Sequence, residues 1–490
     1  MICGVVKGST IEEILEQIPI VQNHAAMLEL RLDYLNDWKL TEIEKLKKAV
    51  YKPVILTLRT VGQGGAFKGS HEEYLTKLKE LITLKPHFLD VEFTVTADEA
   101  QALKHMHPKT KILLSFHDFK EMGDLEARYR ELQKIPADLY KIAVMLHSSS
   151  EALYLLDFMK THGPQLIAMG MGKCGEVTRI LSPIFGGAFV YSSMDVQTHT
   201  APGQVPIPEL IQVYNYPYLK MTSSIYGLIG DPVENSIGHL SHNSLLHVLD
   251  MASVYVKFTV TAEELPGFLN LAKKVGIKGL SVTMPLKEEV VKYVDEMGHR
   301  AQNIGAVNTL VFEEGKIKGY NTDGKGALDA IESKFKVKDK KMIIIGAGGA
   351  AKAVAAEAIE RGARVVILNR SEERAEAMAQ ILGCRGGGLD LLEEECKEGY
   401  DIMVNATPNA MPINPKWLEA GKIAMDLHTQ PRYTDFMQHA DRKGCVLVFG
   451  YEMFVGQALG QFERWFGREF YKRAALKVLG DTVANFLRLT

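Results

Sequence analysis

A chain of 490 residues, 46% hydrophobic and 24% charged, has the composition of a soluble globular protein and is too long for one ordinary domain, so about two to four are expected. A net charge of −3, without a block of Lys or Arg, argues against nucleic acid as a partner. Five cysteines (Cys3, Cys174, Cys384, Cys396, Cys445) form no CxxC pair. They predict free thiols in a reducing compartment, neither a disulfide frame nor a metal site, and the lack of a leader-like or membrane-spanning apolar run predicts a cytoplasmic protein.

Over the first 216 residues a pattern repeats about every 25 residues. Apolar strand candidates at 2–6, 26–34, 53–59, 88–93, 111–117, 139–145, 166–171 and 189–193 alternate with helical segments such as HEEYLTKLKELI and DLEARYRELQKI. Eight strands alternating with helices over roughly 200 residues predict a (β/α)8 TIM barrel, whose chemistry sits at the C-terminal ends of the strands. Those ends are unusually polar. Glu29, Arg31 and Asp33 share one face at period two, Arg59 ends the third strand, Asp90 and Glu92 lie in the fourth, and His117 closes the fifth. Lys141 lies inside the apolar strand LYKIAVM. A strand lysine is most often a snorkelling edge residue. Here its neighbours also point titratable groups at the barrel mouth, and apolar walls lower a lysine's pKa and make it an amine nucleophile toward a ketone. His117 on the adjacent strand suits a general base and acid, and Arg31, Arg59 and Arg179 suggest an anionic substrate.

These residues resemble the type I 3-dehydroquinate dehydratases. The matching pieces are Glu29-Leu-Arg31-Leu-Asp33, Arg59-Thr60, Ser115-Phe-His117-Asp118-Phe119, Lys141-Ile-Ala143-Val-Met145, Met169-Gly170, Arg179 and Ala201-Pro-Gly-Gln204. The resemblance implies that Lys141 forms a Schiff base with the substrate ketone, that His117 moves protons, and that Arg179 pairs with the substrate carboxylate. It further implies substrate contacts from Glu29, Arg31, Arg59, Thr200 and Gln204. Where the family commonly has Glu before a Gly-Gly pair, this chain has Gln63, which can hold the His117 ring but supplies no charge.

Residues 217–224 contain Pro217, show no helical period and predict a linker. From Ile225 the pattern restarts as an αβ unit with polar residues at its strand ends: Ser236, Ser281, Thr283, Lys287, Asn308 and Asp323. Removing a hydride from a secondary alcohol needs a group to take the hydroxyl proton, and Lys287 with Asp323 is a plausible pair. The stretch MIIIGAGGAAKAVAAEAIERGARVVILNR, residues 342–370, runs strand, glycine turn, Ala-rich helix, strand. Gly346, Ala347, Gly348, Gly349 and Ala350 suit a pyrophosphate seated on a helix N-terminus, the Rossmann arrangement. An NAD-binding unit usually ends its second strand in an acid; this one ends in Asn369-Arg370 with Arg374 beyond, which favours the 2′-phosphate of NADP.

Residues 225–490 resemble shikimate dehydrogenases. The motifs are Ser236, Ser281-Val-Thr283-Met-Pro285-Leu-Lys287, Gly305-Ala-Val-Asn308-Thr309, Asn321-Thr322-Asp323-Gly324, the glycine loop, Asn405-Ala406-Thr407-Pro408 and Gly450-Tyr-Glu-Met453-Phe-Val-Gly-Gln457. The resemblance implies Lys287 and Asp323 as the catalytic pair. It implies substrate contacts from Ser236, Ser281, Thr283, Asn308 and Gln457, and contacts along the nicotinamide half of the cofactor from Asn405 to Thr407, Gly450 and Met453. Two positions depart from the family pattern. Gly238 replaces a second Ser, and Thr429 replaces Tyr in the stretch Asp426…Pro431.

The expected organisation is a dehydratase barrel at 1–216, a linker at 217–224, a substrate-binding αβ domain at 225–325, a Rossmann domain at 326–458 and C-terminal helices at 459–490 that pack back on the substrate domain. The expected activities are dehydration of 3-dehydroquinate and NADPH-dependent reduction of 3-dehydroshikimate to shikimate, by a monomer or homodimer acting on small molecules, without nucleic acid or membrane. The alternatives are a quinate/shikimate dehydrogenase of broader specificity in the second half, or a regulatory or binding protein with one inactive site.

Overall fold

A computed structural model of the chain describes residues 1–234, 236–467 and 472–489. Strands β1 (Ile2–Lys7), β2 (Met27–Arg31), β3 (Val54–Thr57), β4 (Phe88–Glu92), β5 (Lys111–Asp118), β6 (Leu139–Met145), β7 (Leu166–Met171) and β8 (Val190–Ser192) form one sheet in the order β7–β6–β5–β4–β3–β2–β1–β8. The strand pairings are parallel. Cys3 and Val5 of β1, Met27, Ile55, Leu113, Ala143, Ile167, Met169 and Tyr191 of β8 meet in one apolar cluster, so the sheet is rolled into a barrel around them. Each strand is apolar where it enters the barrel and polar where it leaves. Met27 is followed on the same face by Glu29 and Arg31, Ile55 by Thr57 and Arg59, and Leu113 by Ser115 and His117. The apolar floor supplies the burial, and the exits supply the chemistry.

The next sheet combines β9 (Ser224–Gly230), β10 (Ser253–Thr259), β11 (Gly279–Val282), β12 (Glu296–Met297), β13 (Thr309–Glu313) and β14 (Lys316–Tyr320), in the order β10–β9–β11–β13–β14–β12. In the structure β13 and β14 form an antiparallel hairpin that turns at Glu314 (φ 52°) and Gly315 (φ 76°). The hairpin brings Asn308, just before β13, beside Asp323, just after β14.

The third sheet holds β15 (Lys341–Ile345), β16 (Arg364–Asn369), β17 (Arg385–Gly388), β18 (Ile402–Asn405), β19 (Ile423–Asp426) and β20 (Val446–Val448). Its pairings are parallel and its order is β17–β16–β15–β18–β19–β20, the 3-2-1-4-5-6 winding of a Rossmann fold. Alanines make this possible. Ala351, Ala355 and Ala358 on the helix Gly349–Glu360 are buried against Met342, Ile344 and Ile367 of the sheet. The helix Gly450–Phe466 returns to the second sheet, where Trp465 Nε1 donates to Leu310 O at 3.0 Å and Gln461 Oε1 lies 3.0 Å from His242 Nε2. Beyond it, the helix Lys472–Leu489 reaches the helix Gly238–Val248, with Thr482 Oγ1 2.9 Å from Ser244 Oγ.

Contacts divide the chain into two compact units, one comprising Met1–Ile225, Ala252–Val260 and Pro266–Gly276, the other the remaining described residues. Among the described residues no helix is long and apolar enough to cross a membrane.

Candidate active sites

At the C-terminal ends of the barrel strands lies a small cavity. Glu29, Arg31, Arg59, His117, Lys141, Arg179, Thr200 and Gln204 all line it, so the barrel residues expected to act on or bind substrate reach one space, whereas Asp33, Asp90 and Glu92 are not part of its lining. Their charges are not equivalent. Arg31 spends its fork on Asp33, with Nε to Oδ1 at 3.0 Å and Nη2 to Oδ2 at 2.9 Å. Arg59 is fully enclosed and donates to Asp90 at 2.6 Å and Ser115 Oγ at 2.7 Å. Burial works against the Arg59 charge, but Asp90 and Glu92 outweigh it and its pKa rises. Arg179 has no such carboxylate. Its Nη1 reaches only Tyr191 O at 3.3 Å and Met169 Sδ at 3.5 Å, and its buried Nε has no hydrogen-bond partner. Burial lowers its pKa to about 10, opposed only by Glu176. Arg179 is therefore charged at neutral pH and underpaired, which is what an incoming carboxylate requires.

Lys141 is 5% exposed. Its Nζ lies 3.7 Å from Asp90 Oδ2 and 3.9 Å from the centre of the Tyr191 ring. Asp90 is already committed to Arg59 and Ser115, so it sees the lysine from beyond hydrogen-bond range. Burial lowers the Lys141 pKa, partly offset by Asp90 and Glu29. His117 pairs in register with Ala143, two residues past Lys141. Its Nδ1 is buried without a partner, and burial followed by the charges of Arg59 and Lys141 holds its pKa well below the usual histidine range. The ring is thus a neutral imidazole, free to take a proton. Gln63 does not hold that ring: its Oε1 accepts from the His117 backbone N–H at 2.8 Å. Gln204 accepts from Thr200 N at 2.9 Å, closing the 200–204 segment on itself at the cavity edge.

The second site is built around Asp323, the first residue of the helix Asp323–Glu332. Lys287 Nζ donates to its Oδ2 at 2.5 Å and Asn308 Nδ2 to its Oδ1 at 2.6 Å, so both carboxylate oxygens are held. Asn308 Oδ1 accepts from Thr322 N at 3.0 Å, and Thr322 Oγ1 donates to Gln457 O at 3.1 Å. Gln457 thus meets the cluster through its backbone. Ser281 and Thr283 lie at the end of β11, on the chain leading to Lys287, and the Thr283 methyl packs where Gly230 lacks a Cβ. Ser236 Oγ accepts from Gly238 N at 3.2 Å, and among the described residues it is not hydrogen-bonded to Lys287, Asn308 or Asp323.

The cofactor candidates gather at the switch between β15 and β18, where the sheet winding reverses. Gly346 (φ 120°) has no room for a side chain, since a Cβ would lie 2.9 Å from Ala406 O. Beside Gly348 a Cβ would meet nothing within 4 Å, which leaves an open face at the helix N-terminus, where phosphate binding is favoured. Ala347 and Ala350 flank that turn. Arg370 and Arg374, past the end of β16, are exposed and, among the described residues, unpaired. Asn369 Nδ2 caps the turn through Ser371 O at 3.0 Å. Asn405 Oδ1 accepts from both N (3.0 Å) and Oγ1 (2.8 Å) of Thr407, folding the loop over Ala406. Gly450 is pressed against the carbonyl of His428, while Met453 is 7% exposed and packs in the apolar core under the sheet. These residues fit a dinucleotide with an extra phosphate. Among the described residues no group of three or more His, Cys, Asp or Glu is placed to hold a metal ion.

Comparison with known proteins finds relatives along both halves of the chain. Residues 2–221 match the model of type I 3-dehydroquinase, 228–310 that of the shikimate dehydrogenase substrate binding domain, and 329–430 that of shikimate / quinate 5-dehydrogenase. The shikimate biosynthesis protein AroDE of Chlamydia pneumoniae is 37% identical over 99% of both chains. The chain belongs to the bifunctional 3-dehydroquinate dehydratase/shikimate dehydrogenase family. Another member, the chloroplastic enzyme of Arabidopsis thaliana, is 31% identical over 95% of this chain and 82% of its own. A crystal structure of shikimate dehydrogenase in complex with NADP+ matches 55% of this chain and 97% of its own, with 35% identity and a TM-score of 0.51.

Tyr191 and His428, which shape these sites, are not among the residues the sequence singles out, and Asp90 stands there without its role. Tyr191 covers Lys141, and its place on β8 opposite Cys3 is a signal that period-two counting would have found. Asp90 is the hub of the buried network, yet it stands in the sequence as one polar strand residue among several. His428 carried no signal, because its partners come from three separate segments.

Proposed function

We propose that the barrel dehydrates 3-dehydroquinate through Lys141 and that the second half reduces the resulting 3-dehydroshikimate to shikimate with NADPH. The observation that carries this reading is the meeting of Lys141, His117 and Arg179 in one cavity. Arg179 binds the substrate carboxylate. The desolvated Lys141 amine adds to the ketone carbon and water leaves, giving a protonated imine. The imine draws electrons from the adjacent carbon, and neutral His117 removes the proton there. The β-hydroxyl then leaves as water, taking a proton from His117, and a further water hydrolyses the imine and frees Lys141. One water is lost overall.

In the second site Lys287 delivers a proton to the oxygen of the ketone being reduced, and Asp323, fixed by Asn308, orients the ammonium. The bound cofactor supplies a hydride. Arg370 and Arg374 recognise its 2′-phosphate, and the 346–350 turn cradles its pyrophosphate. Ser236, Ser281, Thr283 and Gln457 surround the substrate hydroxyls and carboxylate. The matching domain division is 1–216, a linker at 217–224, 225–325, 326–458 and 459–490.

The test supplies 3-dehydroquinate and NADPH to the full chain and identifies products, with borohydride added in a parallel reaction. Shikimate should form, and borohydride should stop dehydration permanently while adding one ligand mass to the peptide containing Lys141. An adduct on another lysine, or dehydration by Lys141→Ala, would overturn the imine route.

A further inference from the structure

We propose that His428 is a positioning residue of the dehydrogenase half, which in its charged form clasps the 405–409 loop to Asp426 and so sets the grip of that loop on the nicotinamide end of the cofactor. The proposal rests on the reading above that Asn405, Ala406, Thr407 and Gly450 flank the nicotinamide.

His428 follows the end of β19 by two residues, and its ring is 20% exposed. Nδ1 lies 2.7 Å from Asp426 Oδ1, and Nε2 lies 3.2 Å from the carbonyl oxygen of Pro408. A peptide carbonyl only accepts. Asp426 also stands as an acceptor, because its oxygens take Thr434 Oγ1 at 2.5 Å, His428 N at 3.0 Å and Asn405 Nδ2 at 3.2 Å. A ring between two acceptors must donate at both nitrogens, and only the imidazolium does so. The neutral ring would keep one bond and turn a lone pair on the other acceptor. Since Asp426 is the stronger acceptor, the bond given up is the one to Pro408.

That bond matters because of where it attaches. Asn405 already ties the loop to itself through Thr407 and through Asn409 O at 2.9 Å. His428 adds the attachment at the middle of the loop, next to Thr407. Residue 428 also touches the other cofactor-side element, since a Cβ on Gly450 would lie 2.2 Å from its carbonyl oxygen. Asp426 is the charged group facing the ring. The loop 405–409, Asn-Ala-Thr-Pro-Asn, carries no charge. Arg432, later in the same segment, is turned onto the rings of Phe449 and Tyr451 at 4.7 and 5.1 Å, and Glu452 is taken by Lys334 at 2.8 Å. The hydrogen bond to Asp426 raises the His428 pKa above the ordinary 6.5, with burial opposing. The clasp is therefore fully closed below about pH 6.5 and opens as pH rises through the raised value.

NADPH binding to the full chain, followed by fluorescence from pH 6 to 9, tests this in wild type, His428→Gln and His428→Phe. Wild-type Kd should rise about 3–10-fold across the range beyond any change shared with the variants, whose Kd should already be raised at pH 6. Ring ¹⁵N spectra, with the His428 signals assigned by their loss in His428→Gln, should show both nitrogens protonated at pH 6. Unchanged dehydratase activity shows that the barrel is intact, and circular dichroism reports the fold of the remainder. A neutral ring at pH 6, or identical pH dependence in wild type and His428→Gln, overturns the clasp. If Thr407→Ala still weakens NADPH in that event, the cofactor reading stands alone; if Thr407→Ala also leaves binding unchanged, both fall.

Discussion

The two sites hold the same side chain in opposite settings, and the difference lies in how far a carboxylate is kept from it. In the barrel, Lys141 is buried and stands 3.7 Å from an aspartate that Arg59 and Ser115 already occupy. In the second half, Lys287 is 21% exposed and bonded to Asp323 at 2.5 Å. Desolvation without a dedicated counter-charge favours the free amine, a nucleophile. A lysine bonded directly to a carboxylate at the edge of solvent is held in place for proton transfer. The surrounding arginines follow the same division. Arg31 and Arg59 are neutralised by Asp33, Asp90 and Glu92 and build the wall, whereas Arg179 is left underpaired and Arg370 and Arg374 stand open.

The sharpest way to break this contrast is to remove each lysine in turn. Lys141→Ala should cut dehydration by roughly 10⁴-fold or more, because no other group can make the covalent bond, and shikimate oxidation should continue. Loss of both activities in a folded protein would show that the sites are not independent. Next in size, Lys287→Ala or Asp323→Asn should slow shikimate oxidation by about 10²–10⁴-fold, the usual worth of a positioned acid or base, with dehydration near wild type.

The arginines sharpen the comparison at a lower level. Arg179→Gln should raise the KM for 3-dehydroquinate about 10–100-fold, since a charge-assisted bond is worth about 1.5–3 kcal/mol. Arg59→Gln should instead lower thermal stability, because it strands Asp90 and Glu92 in the barrel wall. Arg370→Ala should weaken NADPH by a similar 10–100-fold and leave NADH nearly unchanged, as measured by KM for each; equal losses would place the arginine elsewhere than at the 2′-phosphate.

The smallest expected effect concerns His117. Burial, reinforced by the nearby positive charges, holds its pKa well below the ordinary value, so the neutral ring persists below the usual histidine range. Gln63→Glu places a carboxylate beside the His117 backbone and should raise the His117 pKa. The acid limb of kcat/KM should then shift to higher pH, with little change at the optimum. An unchanged profile would mean that the carboxylate does not sense the ring.

Much of this was legible in the chain. The eight barrel strands were written as apolar runs at regular spacing, and all of them occur within two or three residues of the expected bounds. The glycine turn between Ile345 and Gly349 carried the Rossmann fold, because strand, turn and helix are local and each residue type has one use there. Residue identity also singled out candidate groups, since a lysine inside a barrel strand or an arginine in the place of an acid changes the chemistry available there. The sequence could not say which charges are spent on one another. Arg31, Arg59 and Arg179 read alike, and only the packing of β2, β3, β4 and the β7–β8 side of the barrel leaves two of them paired with carboxylates and one underpaired. The β13–β14 hairpin that joins Asn308 to Asp323, and the three segments that meet at His428, were likewise invisible. Ionisation and hydrogen bonding depend on distances of a few ångströms between residues far apart in the chain, and those distances exist only once the backbone has closed around them.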